Sequence, residues 1–67
     1  MNTVLIIEDD KAIVDVLKMI LEHDGFRIEK AFNGPTGIEK YKEVTPDIVL
    51  LDIRMPKMDG IEVLQEI

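Results

Sequence analysis

Three carboxylates stand out by where they fall relative to apolar blocks. Asp52 closes the run Asp47-Ile48-Val49-Leu50-Leu51-Asp52, and Glu8 and Asp9 close the run Val4-Leu5-Ile6-Ile7-Glu8-Asp9. Each run holds four consecutive aliphatic residues, which read as a strand buried on both faces, and each ends abruptly in acid. A carboxylate at the carboxyl end of a buried parallel strand lies where open α/β sheets bind their ligands. If the two strands are neighbours, Glu8, Asp9 and Asp52 converge, and three carboxylates so close repel one another unless a cation compensates. A hard divalent ion is the simplest compensation, and Mg²⁺ suits a few carboxylates, a backbone carbonyl and several waters. With Mg²⁺ held there, Asp52 could accept a phosphoryl group, because aspartate carboxylates serve as nucleophiles that form acyl phosphates. Metal clamps on the transferring group carry most of such chemistry. Asp52 is therefore the expected reactive group.

The elements that must position these residues can be read in order. After the first strand, Ile13, Val16, Leu17, Ile20 and Leu21 recur at spacings of three and four, whereas Lys11, Asp15, Lys18 and Glu22 lie elsewhere. That pattern predicts an amphipathic helix over roughly 11 to 24, with Asp10 capping its first turn and Gly25 as its left-handed terminator. Phe26 to Ala31 alternates apolar with charged residues, as an edge strand with one wet face does. Asn33-Gly34 marks a turn, and Pro35 opens a second helix that runs to about Val44, with Ile38, Tyr41 and Val44 turned inward. The strand over 48 to 51 follows, then a Pro/Gly-marked loop, and apolar residues at 61, 64 and 67 predict a third helix. The alternation βαβαβα implies a parallel three-layer α/β sheet built through right-handed crossovers. The two all-apolar strands should be central neighbours with 26 to 31 on the far side of the first, giving the order 2-1-3. His23 reads as a solvated helix residue, Lys40 and Lys42 as a wetted face, Met19, Met55 and Met58 as packing or loop residues, and Asp59-Gly60 as a turn.

Composition limits the function classes. The chain has 67 residues, 46% of them hydrophobic and 33% charged, which is the balance of a single globular domain, one small enough to bury only about 60% of its unfolded surface. A net charge of −6 with scattered basic residues argues against binding nucleic acid. There is no cysteine, hence no disulfide framework or thiolate metal site, and a reducing cytoplasm is the expected setting. The apolar run after Met1-Asn2-Thr3 is too short for a signal peptide or a membrane span. A hydrolytic enzyme is not expected, since no base and nucleophile pair stands outside the acidic cluster.

Four blocks in register resemble the receiver domains of two-component response regulators. They are Val4-Leu5-Ile6-Ile7-Glu8-Asp9, Ala31-Phe32-Asn33-Gly34, Pro46-Asp47-Ile48-Val49-Leu50-Leu51-Asp52 and Met55-Pro56-Lys57-Met58-Asp59-Gly60. The resemblance covers all 67 residues. It implies half of a flavodoxin-like receiver fold over residues 1 to 67, with Asp52 as the phosphoacceptor. It also implies that Asp9 ligates Mg²⁺ directly, that Glu8 acts largely through water, and that the backbone carbonyl of Arg54 completes the site. The implied phosphodonor is a histidine kinase or a phosphotransfer protein. Receivers of this family have five strands and five helices, so roughly the second half of the pattern has no counterpart here. The Ser/Thr, Lys and switch aromatic of that half match no residue of this sequence.

The strand over 48 to 51 is built for the middle of a sheet and is expected at its edge, with unpaired N–H and C=O groups. Self-association is the expected consequence, either through the 48 to 51 edges of two copies or by exchange of elements between them. Two classes of function are thus in view. One is a signalling receiver phosphorylated on Asp52; the other is a homo-oligomeric half-receiver that is inactive in phosphotransfer.

Overall fold

The structure, a computed structural model, describes residues 2–52 and 60–67. Its elements are β1 (Thr3–Ile7), α1 (Lys11–His23), β2 (Arg27–Ala31), α2 (Gly34–Val44), β3 (Ile48–Leu51) and α3 (Gly60–Glu66). The three strands form one parallel sheet in the order β2-β1-β3, as expected from the two all-apolar runs. Thr3 to Ile7 stand opposite Arg27 to Ala31 on one side, and Val4 to Ile7 stand opposite Ile48 to Leu51 on the other.

The first crossover steps one way along the sheet and the second steps back across β1. A constant crossover hand then puts the two helices on opposite faces. Alternate residues of β1 divide accordingly. Val4 and Ile6 are buried under α1 together with Val14, with Leu17, Leu21, Phe26, Ile28 and Phe32 packed around them. Leu5, Ile7 and Ala31 are buried on the α2 side, among Ile38, Tyr41, Val49, Leu51 and Ile67. The central strand is therefore enclosed on both faces, and all four of its aliphatic side chains are essentially solvent-free.

Two expectations about packing change. The residue of α1 that the sheet buries completely is Val14, and Leu17 and Leu21 flank it, whereas Ile13, Val16 and Ile20 are exposed. Sequence spacing marked a broad apolar arc without saying which part meets the sheet. In β3, only Val49 and Leu51 pack inward; Ile48 and Leu50, on the α1 side, are exposed. The reason is that α1 lies over β1 and β2, so no β3 residue belongs to its cluster.

Chain ends of the helices follow local chemistry. Asp10 accepts a hydrogen bond from the Ala12 N–H at 2.9 Å and caps α1. Gly25, at φ +91°, ends α1 in a Schellman arrangement: its N–H donates to the Glu22 carbonyl and the Phe26 N–H donates to the Leu21 carbonyl. Asn33 caps α2 through the Thr36 N–H at 2.9 Å, so Gly34 is the first helical residue and not part of a free turn. Among the described residues, no helix is long and apolar enough to cross a membrane.

Candidate functional site

The ladder of β1 continues one step beyond the strand on both sides. The Glu8 N–H donates to the Ala31 carbonyl at 3.0 Å, and the Asp52 N–H donates to the Ile7 carbonyl at 2.9 Å. These bonds pin the two backbones at the same edge of the sheet. Asp9 is held between the pinned Glu8 and the capping residue Asp10. As a result Glu8, Asp9 and Asp52 each offer a carboxylate oxygen within 4.8 Å of the others. Glu8 and Asp52 are half-buried and Asp9 is exposed. Glu8 and Asp52 line a cleft of about 320 Å³ whose other walls are Ile6, Ile7, Leu17, Leu50 and Leu51.

Crowding of acids over an apolar wall has an electrostatic result. The Glu8 carboxyl is pushed up from 4.5 to about 7, chiefly by burial, then by hydrogen bonds with Asp52 and Asp9 and by the charge of Asp52. Protonated Glu8 can donate to those neighbours, which relieves part of their repulsion. The Asp10 N–H, which donates to Glu8 Oε2 at 3.3 Å, pulls the other way. A cation at the centre would replace that proton. Three carboxylates with no nitrogen or sulfur donor form a hard-oxygen set, and such a set suits Mg²⁺ better than Zn²⁺.

The three acidic residues singled out from sequence thus come together. The carbonyl of Arg54 lies outside the described residues, as do Met55, Lys57, Met58 and Asp59. His23 falls in the last turn of α1 and is exposed. Lys40 is more than a wetted residue, since its Nζ lies 3.4 Å from Glu29 Oε1.

Sequence reading missed Asp47 as a positioning residue. Its Oδ2 accepts from the Thr3 N–H at 2.8 Å while its own N–H donates to the Thr3 carbonyl at 2.9 Å. This pair of hydrogen bonds between residues far apart in sequence sets where β3 starts along β1, and hence where Asp52 ends up. No local pattern announces it. Phe32 was also overlooked: Lys11 Nζ lies 5.5 Å and Lys30 Nζ 6.0 Å from its ring centroid, within cation–π range.

The sequence profile of the response regulator receiver domain matches residues 4–67. The chain belongs to this family. The receiver is 46% identical over 67 residues to the chemotaxis protein CheY of Bacillus subtilis, covering 98% of this chain and 56% of that protein. Its backbone matches the N-terminal domain of a response regulator receiver protein from Methanoculleus marisnigri JR1 with a TM-score of 0.96 at 43% identity, over 100% of this chain and 55% of that one. It also matches the response regulator TrrA of Thermotoga maritima in complex with Mg²⁺-BeF, with a TM-score of 0.94 at 36% identity, over 98% and 57% of the respective chains. TrrA has also been solved in complex with the histidine kinase ThkA. The receiver spans between 14% and 56% of the length of four curated relatives that it matches.

Proposed function

We propose that this receiver is a phosphoacceptor of a two-component phosphorelay in the cytoplasm, taking a phosphoryl group on Asp52 from a phosphohistidine of a histidine kinase or phosphotransfer protein. The observation that carries this reading is the convergence of Glu8, Asp9 and Asp52 at the carboxyl edge of β1 and β3. Asp9 and Asp52 would hold Mg²⁺ directly, with Glu8 acting largely through water and the Arg54 carbonyl as a further ligand. When bound, Mg²⁺ supplies charge neutralisation for the transferred group.

The residues do the rest. Pinned by its N–H to Ile7, Asp52 presents one carboxylate oxygen to the open cleft, where it attacks phosphorus as the P–N bond of the donor breaks and the imidazole leaves. Glu8 must give up its proton before the cation can sit among the carboxylates. The binding of Mg²⁺-BeF by TrrA, and its complex with ThkA, support this reading by analogy. The group transferred ends on the protein itself, so the role is that of an acceptor and not of an enzyme acting on a separate substrate.

Incubation with acetyl phosphate and Mg²⁺ followed by mass spectrometry tests it. The wild-type chain gains the mass of one phosphate and the Asp52→Ala variant gains none. Equal gain in both, or none in either, overturns the assignment.

A further inference from the structure

We propose that Lys11 and Lys30, gathered on the ring of Phe32 beside the acidic cluster, draw the dianion of a small acyl phosphate toward Asp52. This rests on the phosphoacceptor reading and adds two specificity-determining residues to it.

The site has an electrostatic problem of its own making. It joins three carboxylates in a chain of net charge −6, and the donor it must receive is itself an anion. A cation held among the carboxylates offsets the repulsion at close range, but an approaching donor meets the summed field of the whole surface. Positive charge near the acidic cluster therefore counts for more than positive charge elsewhere.

Two lysines are placed for this. Lys11 is the first residue of α1 and stands two positions after Asp9, so their Cα atoms are at most about 7 Å apart. Lys30 stands opposite Ile6 near the end of β2, and Phe32 follows Ala31, whose carbonyl accepts the Glu8 N–H at 3.0 Å. β2 and β3 are two strand spacings apart, about 10 Å, so charge at the end of β2 acts on the end of β3 within about one Debye length at 0.1 M salt.

The ring explains why both charges stay there. Phe32 is half-buried and packs against the cluster under α1, which fixes it, and Lys11 Nζ at 5.5 Å and Lys30 Nζ at 6.0 Å share it. Two like charges on one ring repel, a cost that the attraction of each for the ring offsets in part and a nearby anion relieves further. Neither lysine makes an ion pair with a described carboxylate, whereas Lys40 of α2 is engaged with Glu29 at 3.4 Å.

Transfer from acetyl phosphate tests this. An Asp52 carboxylate oxygen bonds to phosphorus as the bond from phosphorus to the acetyl oxygen breaks, and acetate leaves with the electron pair. Mass spectrometry follows the phosphorylated chain over time, with Mg²⁺ saturating, donor well below saturation and ionic strength low. Lys11→Gln with Lys30→Gln is expected to slow the reaction about threefold or more, and the difference is expected to close at 1 M salt, where the Debye length is about 3 Å. Lys18→Gln with Lys42→Gln removes the same charge from the middle of α1 and the last turn of α2, and is expected to slow it clearly less. Lys11→Arg with Lys30→Arg is expected to keep the wild-type rate. Mg²⁺ affinity separates steering from a structural role: with two positive charges gone, the carboxylates should bind the cation more tightly while transfer slows. An unchanged rate, equal slowing by the two glutamine pairs, slowing that persists in high salt, or Mg²⁺ affinity that falls together with rate overturns the proposal. A wild-type chain that takes no phosphate overturns the phosphoacceptor reading, and the proposal with it.

Discussion

A carboxyl whose proton is retained up to about pH 7 makes Glu8 the residue through which solution conditions reach the site. Its folded-state value lies above the ordinary 4.5, so between these values the native chain binds more protons than the unfolded one. Stability from this group is complete below about 4.5 and is lost as pH rises through about 7. Denaturant titrations without divalent cation should therefore show declining stability across that window, and the decline should be absent in Glu8→Gln. A slope that survives the substitution unchanged would sink the assignment to Glu8. Adding Mg²⁺ should expel the proton, so its apparent affinity should climb with pH and level off above about 7. Calorimetry in buffers of different ionisation heat would register the released proton.

Helix α2 approaches β1 more closely than side chains normally permit. A Cβ added at Gly37 would stand 2.6 Å from Ile7 Cδ1 and 2.9 Å from Ile7 Cγ1 and Cγ2, and Ile7 is fully buried. Overpacking of this sort costs about 1 to 3 kcal/mol, against which alanine returns about 1 kcal/mol of helix propensity. Gly37→Ala should thus lose up to about 2 kcal/mol in chemical denaturation. The loss should shrink when Ile7→Val removes the offending methyl, and equal losses in the two backgrounds would refute the contact as its cause. Gly37 also shows where sequence reading stops. Strands, the cap of α1 and the acidic cluster were legible because each has a local signature: an aliphatic run, Asp10 before a helix, acid at a strand end. Val14, Gly37 and Asp47 were not, because what they do depends on a surface brought from elsewhere in the chain. Helical spacing cannot say that Val14 and not Ile13 meets the sheet, nor can any window of residues reveal that Asp47 grips Thr3.

At the scale of the molecule the order 2-1-3 was legible from the contrast between two apolar strands and one alternating strand. What the contrast could not convey is how unevenly the two faces are covered, since Val49 and Leu51 of β3 join the cluster on the α2 side and no β3 residue joins the cluster under α1. Amide exchange should reflect this. The amides of Val4 to Ile7, in a solvent-free strand paired on both sides, should be the last to exchange, and those at the outer edge of β2 should go early. Slower exchange in β2 than in β1 would contradict the described core.

The same central strand sets a schedule for synthesis. β1 leaves the ribosome ahead of every partner it has, and the residue that grips its start, Asp47, follows Thr3 by 44 positions. At about 5 to 20 residues per second that interval lasts roughly 2 to 9 s. Throughout it β1 can pair only with β2, and its other side is open to whatever strand another nascent chain on the same messenger offers.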